Sequence, residues 1–134
     1  MSKSLIQTAN QTSQTLTANS VINPGTVLRR YGCNCRLSGN GIEIEGEGYY
    51  KVNASFTFTP TAVGNVTVTL FMDGVAVQGA KATGGVSTVG NSVTLPIVTT
   101  VRKGCCCDGA SSLTFVVTGN DTVANNASIR VEKS

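Results

Sequence analysis

Between Val52 and Phe58 the apolar residues Val52, Ala54, Phe56 and Phe58 alternate strictly with Asn53, Ser55 and Thr57. A period of two is the signature of a strand with one face buried and one wet. The same period returns at Ile42 and Ile44 against Glu43 and Glu45, and at Val66, Val68 and Leu70 against Thr67, Thr69 and Phe71. It returns again over Val93 to Thr100, Leu113 to Thr118 and Ser128 to Glu132. No segment carries the i, i+3, i+4, i+7 spacing of a capped amphipathic helix. The chain is therefore expected to be all-β.

Punctuation between the runs sets the architecture. Asp73-Gly74 stands between Val66–Phe71 and Val75–Val77, which predicts a two-residue type I′ hairpin with positive φ at both turn residues. Gly84-Gly85, Gly104, Gly119-Asn120 and Asn125-Asn126 mark further breaks. Pro96 cannot donate to a ladder, so its strand is expected at an edge or a bulge. About eight short strands at near-regular spacing predict an antiparallel β-sandwich of the jelly-roll kind. Residues 1–19, rich in Gln, Thr, Asn and Ser, read as a polar arm or as a first strand pairing late with the C-terminal one. Residues 20–134 read as one jelly-roll domain, with an ordered strand from about Ser20.

At 134 residues there is room for one core, and the folded chain is expected to expose roughly 6,600 Å². Seven aromatic residues and no Trp leave that core to small and β-branched side chains. The net charge of +3 comes from 10 basic and 7 acidic residues scattered along the chain. Arg29-Arg30 and Arg102-Lys103 are the basic pairs, too sparse for a nucleic-acid stripe. Glu43, Glu45 and Glu47 are expected on the outer face of one strand. No apolar run has the length of a secretory leader or a bilayer span, so synthesis in the cytoplasm without a signal peptide, and no membrane partner, is the expectation. The sequons at Asn10, Asn53, Asn65, Asn120 and Asn126 carry no weight without such a leader.

The chain has no His, which removes the usual general base and activator of Ser or Cys nucleophiles. No glycine loop opens a helix to cradle a phosphate. A catalytic site and a cofactor are not expected. The five cysteines sit in two places, Cys33 and Cys35 in one segment and Cys105, Cys106 and Cys107 in another. Three readings stay open. They form one or two disulfides with a leftover thiol; four thiolates hold a tetrahedral metal, although the spacing is not that of a zinc ribbon; or they are reduced small apolar side chains near an interface.

Gly48-Tyr49-Tyr50-Lys51-Val52, followed by Ala54, Phe56 and Phe58, resembles the Gly-x-Tyr strand of the tumour-necrosis-factor-like and complement globular-head jelly rolls. The hairpin around Asp73-Gly74 and the run Ala127-Ser128-Ile129-Arg130-Val131 are similar to that family's hairpin and closing strand. Leu28-Arg29-Arg30-Tyr31-Gly32-Cys33-Asn34-Cys35, with the later Cys105 to Cys107, resembles short bacterial and phage-borne members. The resemblance implies a homotrimer with Tyr49, Tyr50 and Val52 at the contact between chains. It also implies a non-enzymatic structural role at a virion surface: head decoration, head fibre or adhesion knob on a bacteriophage or prophage particle. The segment Ser2–Asn19 would be the anchor to a capsid or tail protein. The alternatives are a module binding host or bacterial surface glycans, and a spore-surface structural protein, whose stalked forms carry a Gly-x-y repeat that this chain lacks.

Overall fold

The structure, a computed structural model, describes residues 4–17, 19–32, 34–60, 63–86, 88, 91–103, 111–119 and 121–133. Twelve strands are present among them: β1 (Leu5–Asn10), β2 (Gln14–Leu16), β3 (Ser20–Val21), β4 (Thr26–Tyr31), β5 (Cys35–Ser38), β6 (Gly41–Ile44), β7 (Gly48–Pro60), β8 (Gly64–Met72), β9 (Val75–Val86), β10 (Val93–Lys103), β11 (Ser111–Gly119) and β12 (Thr122–Lys133). The excess over eight comes from β1, β2, β4 and β5, which show no period-two run in the sequence; β2 and β5, at three and four residues, are too short to display one.

The strands form two antiparallel sheets. One has the order β10-β7-β12-β1-β4 with β2 added alongside β12, and the other β5-β6-β11-β8-β9 with β3 alongside β11. Apart from the hairpin pairs β5-β6 and β8-β9, neighbours in space are distant in sequence, as expected of a jelly roll. The accessible surface of 6642 Å² matches the roughly 6,600 Å² of a compact chain of this length.

Alternation dictates which side chains meet between the sheets. In β7, Tyr50, Val52, Ala54, Phe56 and Phe58 all point inward and are buried. Phe56 lies 5.0 Å from Phe115 of the opposite sheet and 6.0 Å from Phe58, centroid to centroid. These distances suit offset and tilted ring pairs. Ile6, Ile129 and Val131 complete the core from the first sheet, and Val66, Val68, Leu70, Leu113 and Val117 from the second.

The hairpin forms as its sequence predicts. Asp73 and Gly74 both have positive φ, 54° and 84°, and Met72 pairs with Val75 across the turn. Pro96 lies on β10, which pairs with β7 at the edge of the first sheet.

Residues 1–19 contribute strands rather than a free arm where they are described. Leu5–Asn10 is flanked by β12 on one side and β4 on the other, and Ile6 is fully buried. Gln14–Leu16 pairs with Thr122–Ala124. Leu5–Asn10 and Gln14–Leu16 are thus paired into the first sheet, with exposed residues 11–13 between them, so these two strands are not a free arm. The ordered chain also begins well before Ser20.

Candidate functional site

The adjacent tyrosines take opposite sides of β7. Tyr49 is 56% exposed, while Tyr50 and Val52 are wholly inside the protomer. The hydroxyl of Tyr50 donates to the backbone carbonyls of Glu45 and of Gly46, the latter at 2.9 Å. A buried phenol needs such partners. Tyr50 and Val52 are therefore core residues with no surface to offer a neighbouring chain, which corrects their assignment to the trimer contact. Of the three, only Tyr49 is placed to meet another molecule.

Tyr50 belongs to a network that closes one end of the sandwich. Asn34 Nδ2 donates to the Glu45 carbonyl at 2.6 Å, and the Glu45 amide donates to the Asn34 carbonyl at 2.8 Å. Ser4 Oγ donates to Asn34 Oδ1 at 2.7 Å, and the Lys133 amide donates to the Ser4 carbonyl at 2.9 Å. Ser4 and the 45–46 turn are tied to Asn34, and Lys133 joins them through Ser4. Gly46 has φ +93°, and a side chain there would strike Asn34, so glycine is required at this position.

Cys35 opens β5 at the same end. It is a buried free thiol, and the Arg30 guanidinium donates to its backbone carbonyl at 2.8 Å. Burial pushes the thiol up to about 11, against the opposing pull of Arg30 and Lys133. At neutral pH the thiol of Cys35 on its own is protonated and behaves as a small apolar side chain. Cys33, Cys105, Cys106 and Cys107 lie outside the described residues, and so does any pairing among them. Their described flanks share one end of the molecule: Lys103 pairs with Gly48, the side chain of Lys133 lies against Gly48 and Gly46, and Gly46 abuts Asn34. Among the described residues no three His, Cys, Asp or Glu side chains are grouped to hold a metal.

The acidic series does not share one strand face. β6 ends at Ile44, and Glu43 is engaged by Arg36 Nε at 2.6 Å. The basic pairs are divided in the same way as the tyrosines. Arg102 is exposed where Lys103 is buried, and Arg30 reaches the Cys35 carbonyl while Arg29 pairs with outward Gln7 of β1.

The outward face of the first sheet is the surface feature that individual strands do not reveal. Val98, Asn53, Arg130, Gln7 and Arg29 form one row across β10, β7, β12, β1 and β4. In the adjoining row Ser55 and Ser128 lie directly opposite one another. Their small side chains leave a groove of about 280 Å³ bounded by Val98, Asn53, Gln7 and Arg130. Val98 is 76% exposed. The groove has a polar floor, a guanidinium wall, an apolar wall and no carboxylate in its lining.

The sequence matches no family model and no curated protein. Solved structures share the fold. Eiger TNF from S. frugiperda superposes with a TM-score of 0.70 at 8% identity, over 98% of this chain and 91% of that one. The globular domain of zebrafish complement 1qA protein gives 0.71 at 6% identity, over 95% and 94%. The PRD1 vertex protein P5 gives 0.63 at 12% identity, over 96% and 94%. At such identities the likeness is one of fold, and the chain is an antiparallel jelly-roll sandwich of the kind seen in tumour-necrosis-factor-like and complement globular-head domains.

Proposed function

We propose that this chain is a non-enzymatic structural protein that works as a homotrimer on the surface of a bacteriophage or prophage particle, as a head decoration, head fibre or adhesion knob. The observation that carries the reading is the jelly roll itself, matched along nearly the whole chain to the PRD1 vertex protein P5 as well as to the TNF and complement domains. The absence of His from the sequence and the protonated, buried Cys35 support a role without catalysis.

The trimer contact belongs to the outward face of the first sheet. Val98 and Tyr49 are exposed there, and apolar side chains on a shared face favour association. Pro96 also faces outward, two residues before Val98 on the edge strand β10. A ring of three is closed and leaves no unpaired copy of the contact. Because Leu5–Asn10 and Gln14–Leu16 are paired in the first sheet, they do not attach to the particle as a free arm.

Native mass by light scattering coupled to size exclusion, with and without reductant, tests the reading. A mass near three chains that persists in reductant supports a noncovalent trimer. A monomer in both conditions sinks it.

A further inference from the structure

Among the described residues, the outward face of the first sheet carries an excess of positive charge. Arg29, Lys51, Arg102 and Arg130 lie on it with Glu132 as its carboxylate, so the face carries a net +3. The whole chain also carries +3, from 10 basic and 7 acidic residues. The six remaining bases and six remaining acids cancel. Glu132 lies directly opposite Lys51 and reaches Arg130 at 3.5 Å, both side chains of that pair partly exposed, so it offsets one of the four positive charges. Lys51 is a diagonal neighbour of Arg130 through Asn53, about 7–8 Å away along the sheet. That is within one Debye length at physiological salt, about 8 Å.

If copies pack through this face, each brings a net charge of +3 toward the others. Desolvation at a contact strengthens such repulsion. The groove beside Arg130 offers the remedy, since the Asn53 and Gln7 amides, the Ser55 and Ser128 hydroxyls and the guanidinium of Arg130 all supply donors. Donors of this kind around a guanidinium suit an oxyanion, whose hydrogen bonds to charged groups are the strong ones. Val98 bounds the other side of the groove and brings the apolar contact next to the charge.

We propose that the groove formed by Gln7, Asn53, Ser55, Ser128 and Arg130 binds a small oxyanion, and that assembly of the chain depends on that anion. The inference rests on the trimeric reading through this face and adds its ligand. Phosphoryl and carboxylate groups share the required chemistry.

Inorganic phosphate and acetate serve as probes, each compared with chloride at matched ionic strength so that plain screening is equal. Analytical ultracentrifugation reads the monomer–trimer dissociation constant. Phosphate, acetate or both are expected to tighten assembly on the order of tenfold over chloride; a response to phosphate alone identifies a phosphoryl group, and a response to acetate a carboxylate. Arg130→Gln is expected to abolish that difference while keeping its circular dichroism spectrum. Lys81→Gln, a cation on the other sheet, keeps it. A trimer whose dissociation constant is the same in all three salts overturns the anion site and leaves the trimer standing. A monomer in every salt overturns both.

Discussion

The inward and outward rows of β7 are interleaved along one strand, yet they differ in nearly everything that matters for function. Inward, Tyr50, Val52, Ala54, Phe56 and Phe58 pack into a dry core. Outward, Tyr49, Lys51, Asn53, Ser55 and Thr57 face solvent, and their neighbours on β12 and β10 complete a basic, grooved surface. The inward row fixes the fold that this chain shares with distant jelly rolls at 6–12% identity. The outward row packs into no core, and under the proposed trimer it is the row that meets a neighbouring copy.

The largest effect separating the rows is expected at Phe56. Phe56→Ala removes the ring that joins Phe58 to Phe115 and is expected to cost about 3–5 kcal/mol of stability, read by urea denaturation of the protomer. Ser55→Ala, one residue away on the wet side, is expected to stay within about 0.5 kcal/mol. Comparable losses from the two substitutions would dissolve the distinction.

The adjacent tyrosines sharpen it with identical chemistry. Tyr50→Phe leaves the Glu45 and Gly46 carbonyls without the phenol donor and is expected to cost about 1–3 kcal/mol. Tyr49→Phe, whose ring is mostly in solvent, is expected to change protomer stability by no more than about 0.5 kcal/mol. The same denaturation series measures both.

Cys35 extends the comparison to pH. Its buried thiol holds its proton up to about 11, above the ordinary 9.0, so between those values the unfolded chain ionises while the folded chain does not. The unfolded state then binds fewer protons, and stability falls as pH rises through that window. Below it this thiol contributes no pH dependence. Cys35→Ala is expected to lessen the fall, measured as the change in denaturation midpoint between pH 8.5 and pH 10.5, a pair of conditions chosen about either side of the window's opening.

Much of this was legible in the sequence, and the reason lies in the period. Residues 52 to 58 alternate strictly, and Asp73-Gly74 has the turn chemistry that a two-residue hairpin demands, so β7, β8 and the start of β9 follow directly. The same parity already places Tyr50 with Val52 on the inner face and leaves only Tyr49 outside; the resemblance to a trimeric family obscured what the alternation contained. β1 was harder to read because its buried positions are Ile6 and the polar Thr8, which makes a strand look like an arm. The groove was not legible at all. Gln7, Ser55, Val98 and Ser128 lie on four different strands, and only cross-strand register, with its shifts at Gln7/Thr8 and Ala124/Asn126, brings them together.

Thr8 offers the smallest and most discriminating test, because it is a buried polar residue on the inward face of β1. Its residue is fully buried, and its hydroxyl has no hydrogen-bond partner among the described residues. It lies opposite Ile129 on β12 and Val27 on β4, so its surroundings are apolar on both sides. Burying a hydroxyl without a partner costs free energy. Valine has nearly the same shape, fits a strand at least as well and leaves nothing unsatisfied. Thr8→Val is therefore expected to stabilise the protomer by about 1 kcal/mol, seen as a higher denaturant midpoint with an unchanged slope. A loss of stability instead would mean that the hydroxyl is bonded, and that the inward face of β1 is not the dry surface its neighbours on β7 and β12 define.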